Sequence, residues 1–172
     1  MLFGLAAVGS ICIAANLLVA EAIPIPISKS IGSHVRGATP AVNAMLATGI
    51  KLSSTFARLV RDLDQTDIIV YVEIVNALPT GLDGRLSFST KAGGFRYLRI
   101  QVPSNTGKHD LIAVVGHELQ HALEIAEHPN VQDSEGVAGL YKLIGLQAHG
   151  VDRYDTAAAR SIGRRVRAEL LE

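Results

Sequence analysis

Cysteine is almost missing from this chain: Cys12 is the single one in 172 residues. One thiol excludes a disulfide framework and a cysteine-ligated zinc site. Net charge is also missing, with 16 basic residues against 16 acidic ones. Nucleic-acid binding ordinarily needs a clustered basic surface. Arg160, Arg164, Arg165 and Arg167 are too few for one and read as the solvated face of a last helix. There is no internal repeat and no low-complexity tract, and the length suits one domain rather than a multidomain machine. What the chain does have is core-forming material. It is 48% hydrophobic and 19% charged, the composition of a chain that buries an interior rather than a disordered one.

One long uncharged run stands at the start. Leu2 to Ala20 holds no charged side chain, and Ala20-Glu21-Ala22 follows as a small-x-small cleavage pattern. Residues 1–22 therefore read as a secretory signal peptide or as a membrane anchor, since about 20 apolar residues span a bilayer. The first reading predicts an exported protein, secreted or periplasmic. The second predicts membrane contact only through residues 2–20 left uncleaved. Ile23-Pro24-Ile25-Pro26-Ile27 is extended, because each proline forces the residue before it out of the helical region. With the Ser- and Gly-rich stretch 28–39, it makes 23–39 a leader or linker ahead of a folded domain over 40–172.

Within that domain, a helix is expected from Pro40, a favoured first-turn residue, to about Asp62. Ile68 to Val75 is dense in β-branched residues and reads as a buried strand. Arg85–Thr90 and Phe95–Val102 form a hairpin around Lys91-Ala92-Gly93-Gly94. Helices follow over about 108–128, 134–144 and 156–171. Strands grouped ahead of helices give the α+β class.

His117-Glu118-Leu119-Gln120-His121 is an HExxH motif. Its physics is spacing. Residues i and i+4 lie on one helix face about 6 Å apart along the axis, so two imidazoles converge on one ion at about 2.0–2.1 Å, the Zn–N distance. Glu118 stands beside that position, where it can take a proton from a metal-bound water. At helical spacing Asp110, His117, His121, Glu124 and His128 form one polar stripe opposite an apolar face. A solvated stripe would more often carry Lys, Arg and Gln.

The run Val114 to Ala122 resembles the active-site helix of zincin metallopeptidases, of a short gluzincin-like or aspzincin-like type. That resemblance implies a zincin-like α+β fold and one zinc ion held by His117, His121 and a downstream third ligand. It also implies Glu118 as general base and acid, with a peptide or protein as substrate. The metzincin pattern needs Gly at position 124 and His at 127; Glu124 and Glu127 stand there instead.

A catalytic zinc site takes three protein ligands and keeps one position open. Glu124 lies on the ligand face but about 10 Å along the helix from His117, which suits it to orienting a ligand histidine instead. Glu135 sits at a helix start, where acids are favoured, and an antiparallel return would set Tyr141, not Glu135, level with His121. Asp155 follows a loop long enough to return to the site and directly precedes the last helix. It is the preferred third ligand, with Glu135 and Glu124 as alternatives and Asp152 and His149 as fallbacks. Tyr141, His128, His149 and Tyr154 are candidate oxyanion donors. The strand face of Phe95, Tyr97, Arg99 and Gln101 is a candidate surface for a peptide added as a strand. The competing reading is a non-catalytic, zinc-stabilised binding module built on the same helix, marked by a closed four-ligand site.

Overall fold

A computed structural model describes residues 34–147 and 154–172. The signal peptide or anchor, the leader up to residue 33, and the candidates His149 and Asp152 lie outside them, as does the side chain of Tyr154. In order, the elements are β1 (Val35–Gly37), α1 (Pro40–Leu52), α2 (Ser54–Leu63), β2 (Ile68–Val75), β3 (Arg85–Ala92), β4 (Phe95–Pro103), α3 (Lys108–Ala126), α4 (Ser134–Ile144), β5 (Leu146–Gln147), β6 (Tyr154–Asp155) and α5 (Ala157–Glu169). The class is α+β.

The main sheet runs β1-β2-β4-β3, with β1, β2 and β4 parallel and β3 antiparallel to β4. Alternation in β2 and β4 sends Ile68, Val70, Val72, Leu98, Ile100 and Val102 to one face, where all are fully buried. Phe56, Leu59, Ile112, Val115 and Leu119 pack over them from α2 and α3. Positive φ at Gly93 and Gly94 closes the β3–β4 hairpin in two residues, a conformation glycine adopts without strain. No helix among the described residues is long and apolar enough to cross a membrane.

Three features depart from the sequence expectations. First, β1 lies within the stretch read as leader: Val35 pairs with Val70 and is buried. Three residues are too short to show a periodicity, and the pairing depends on a strand far along the chain. Second, β4 has both edges occupied, by β2 and by β3, so it cannot accept an added strand. Among the described residues the outer strands are β1 and β3, and the register of β3 shifts between Phe88 and Thr90.

Third, the helix expected from Pro40 to Asp62 is two helices, broken at Ser53. The Ser53 hydroxyl accepts from the Phe56 amide at 3.0 Å and so caps α2. Its own proton goes to Glu169 at 2.6 Å, and the same carboxylate accepts from the Thr55 amide at 3.0 Å and the Thr55 hydroxyl at 2.7 Å. A carboxylate at the positive end of α2 is favourable. Burial opposes its charge, but the Ser53 and Thr55 donors outweigh that and hold the Glu169 carboxyl down at about 2, from an ordinary 4.5. The bond network therefore stabilises the fold above pH 4.5 and is lost as pH falls towards 2. Glu169→Gln is expected to cost about 1–3 kcal/mol at pH 7 and much less at pH 3, as read by urea unfolding at the two pH values. An equal cost at both would contradict the charge-based role.

Candidate metal centre

α3 is the central helix rather than a half-exposed one. Leu111, Ile112, Val115 and Leu119 face the sheet, yet Glu118, His121 and Glu124 are buried as well. The start of β3 covers Glu118, while Tyr141 of α4 and the Thr156 turn into α5 cover His121 and Glu124; α5 packs along the same side of α3. Two glycines let it approach: a Cβ on Gly116 would lie 3.0 Å from Val166 Cγ2, and one on Gly163 would lie 3.3 Å from His117 Cβ. The β5–β6 ladder pairs Leu146 with Asp155 and turns the chain back. Thr156 then caps α5, accepting from the Ala159 amide at 3.0 Å. Asp155, at the start of α5, is thereby delivered to the two histidines of α3.

His117, His121 and Asp155 each offer a ligand atom within 4.8 Å of the others. Asp155 Oδ1 lies 3.4 Å from His117 Nε2 and 3.5 Å from His121 Nε2. A tetrahedron of ligands at the Zn–N and Zn–O distances has edges of about 3.3 Å. Asp155 Oδ1 is also buried, with no hydrogen-bond partner among the described residues. An orphaned buried acceptor is costly, and a cation at the centre of these three atoms satisfies it. The donor set, two imidazoles and a carboxylate, suits zinc. His117 and Asp155 keep 23% and 24% of their side-chain surface exposed, while Asp155 Oδ1 itself is buried.

Around these atoms stands a second set of contacts. Glu124 Oε2 lies 2.8 Å from His121 Nδ1, and Glu124 Oε1 accepts from the Thr156 hydroxyl at 2.7 Å. The Tyr141 hydroxyl has two acceptors in reach, the His121 carbonyl at 3.0 Å and Glu124 Oε2 at 3.4 Å, so its proton is engaged there instead of projecting freely as an oxyanion donor. Arg160 Nε approaches the other oxygen of Asp155 at 3.7 Å. Burial and the neighbouring His121 lower the His117 pKa. Burial also acts against the charge on His121, but the carboxylates of Asp155, Glu124 and Glu118 override it and raise that ring's pKa. Filling the site with a cation therefore expels a proton.

Glu118 is buried, and burial first, then the Asp155 charge, push its carboxyl up from 4.5 to about 7, against opposing pulls from His121 and the Leu86 backbone. It seats against the start of β3. A Cβ on Gly84 would lie 2.7 Å from Glu118 Oε1 and 2.6 Å from Val114 Cγ1. Gly84→Ala is therefore expected to displace the carboxylate. The added methyl should also cost about 1–3 kcal/mol of stability, as overpacking usually does. Urea unfolding checks this; wild-type stability would show that the Glu118 side chain yields without cost.

The other sequence candidates lie elsewhere. Glu135 is exposed in the first turn of α4, next to Asp133, whose carboxylate caps that helix by accepting from the Gly136 amide at 2.7 Å. Glu124 is engaged with His121 and Thr156 and does not join the ligand group. Asp110, on the polar stripe, pairs with Arg167 at 2.8 Å. Thr156 and Gly84 have no place in the sequence-derived site. Thr156 is visible in sequence as a helix cap, and Gly84 as a turn residue, but neither signal points to chemistry. Comparison with protein-family models, curated proteins and solved structures gave no match.

Proposed function

We propose that this chain is a zinc-dependent hydrolase of zincin-like fold, a metallopeptidase that cleaves peptide bonds. The observation carrying this reading is the unsatisfied Asp155 Oδ1 at tetrahedral spacing from two imidazoles, with the Glu118 carboxyl near enough to feel the charges of His121 and Asp155. His117, His121 and Asp155 would hold the ion. Zinc, when bound, supplies a Lewis acid for the scissile carbonyl and acidifies water to a pKa of about 7. Glu118 takes a proton from the attacking water at its carboxylate and delivers it to the departing amine nitrogen. A carboxyl poised near neutrality suits both transfers. The outer edge of β3, which pairs with no strand among the described residues, begins beside Glu118 and offers main-chain groups to an extended peptide. In this reading the chain is exported, with residues 1–22 as its signal.

The test is a peptide-library digest by the refolded chain, with 1,10-phenanthroline and zinc add-back. Cleavage abolished by the chelator and restored by zinc supports the reading. Absence of cleavage by zinc-loaded protein across the library counts against it. One observation favours the non-catalytic alternative: Glu118 is 7% exposed and held against β3. A chain that binds zinc, melts at a changed temperature in Glu118→Ala and cleaves nothing is the binding module instead.

A further inference from the structure

The three ligands come from two distant parts of the chain, and one buried side chain touches both parts. Glu124 is 9% exposed and uses both carboxylate oxygens. Oε2 faces His121 Nδ1 at 2.8 Å, and Oε1 accepts from the Thr156 hydroxyl at 2.7 Å. Thr156 is covalently next to Asp155 and caps α5 through the same hydroxyl, which accepts from the Ala159 amide. We propose that Glu124 is the positioning residue of the metal centre, fixing the ring of His121 and the Asp155 turn with a single carboxylate. The inference rests on the zinc reading above.

The chemistry is directional. A carboxylate only accepts, so the Nδ1 facing it carries the proton and Nε2, the atom facing Asp155, keeps its lone pair for the ion. The other oxygen can accept from Thr156 only if that hydroxyl points inward, which sets where the backbone of residue 155 begins. A glutamine cannot do both. With its oxygen on Thr156, its amide N–H meets His121 Nδ1 and favours the tautomer that blocks Nε2.

The experiment measures zinc affinity by competition with a chelating dye for the full chain and for Glu124→Gln, Thr156→Val and Thr156→Ser. It is paired with the downfield imidazole N–H proton spectrum of the zinc-loaded proteins. Expected are a 10–100-fold loss of affinity in Glu124→Gln, a smaller loss in Thr156→Val, and wild-type affinity in Thr156→Ser. The double variant Glu124→Gln/Thr156→Val should be weaker than Glu124→Gln by less than the single Thr156→Val loss. The spectrum should show a strongly downfield His121 Nδ1–H resonance in wild type that moves upfield or exchanges faster in Glu124→Gln, where the charged acceptor is gone. Wild-type affinity and an unchanged resonance in Glu124→Gln, or additive losses in the double variant, overturn the proposal. A wild-type chain that binds no zinc overturns the functional reading itself, an outcome distinct from tight zinc binding by every variant.

Discussion

Glu118→Gln is expected to lower kcat for peptide cleavage by about 10²–10⁴-fold, the usual worth of a general acid–base group, while zinc stoichiometry stays unchanged. Glutamine keeps the shape of the side chain and removes only its capacity to accept and return a proton. The cation group is His117, His121 and Asp155, so the substitution leaves every ligand in place. Stability moves in the opposite direction. Burial raises the Glu118 carboxyl from 4.5 to about 7, so the metal-free fold favours its neutral form. Below pH 4.5 the group is neutral in both folded and unfolded chains and costs nothing. As pH rises through 7 the fold must bury a charge. Metal-free Glu118→Gln should therefore match wild type in melting temperature at pH 4 and exceed it at pH 8. Turnover near the wild-type rate in this variant would end the role assigned to Glu118.

The largest structural effect is expected at Arg96. Its position in the alternation of β4 puts a guanidinium on the buried face with Leu98 and Ile100, at 1% exposure. Nε and Nη2 clasp Asp67 at 2.8 and 2.7 Å. Nη1 donates to the carbonyls of Ile125, His128 and Val131 at 3.0, 2.9 and 2.9 Å. The last carbonyls of a helix lack intrahelical partners, and this guanidinium serves the end of α3, the helix that carries both histidines. The Arg96 bonds hold the Asp67 carboxyl below its ordinary range. Arg96→Leu is expected to cost about 3–5 kcal/mol, the loss of a few hydrogen bonds from a charged donor at roughly 1.5–3 kcal/mol each, out of the roughly 5–15 kcal/mol a domain has. Asp67 is 43% exposed and recovers solvation, and the Ile125 and His128 carbonyls keep the His128 and Val131 amides as donors, so the cost is that of the lost guanidinium bonds. Arg96→Lys should also destabilise, because an ammonium cannot reproduce the fork. Urea unfolding measures both; a loss under about 1 kcal/mol in Arg96→Leu would show that the α3 terminus is held by other contacts.

Much of the fold is legible because its elements are long and periodic. Ile68–Val75 and Ser134–Ile144 stand where the hydrophobic pattern sets them. The break at Ser53 is not legible, because the carboxylate that rewards it is Glu169, 116 residues away. The Ser53-Ser54-Thr55 run is only a hint of competition with the backbone. Arg96 was readable in principle: a charge at an inward position of an alternating strand demands a buried partner. At the site, the histidine spacing is a local property of one helix and needs no tertiary knowledge. The approach of Asp155 depends on α5 packing against α3 through Gly116 and Gly163, and nothing local to residue 155 encodes that. The polar stripe on α3 was legible, but what covers it was not, so burial of Glu118, His121 and Glu124 emerges only in three dimensions.

The central claim is that His117, His121 and Asp155 together grip one zinc ion with a position left for solvent. Zinc K-edge X-ray absorption on the zinc-loaded chain and on Asp155→Ala tests it most directly. Expected are one zinc per chain, four light ligands at about 2.0–2.1 Å, the scattering pattern of two imidazoles, and weakened binding in Asp155→Ala. A protein that retains no zinc, or a spectrum with no imidazole scattering and no response to Asp155→Ala, would contradict it.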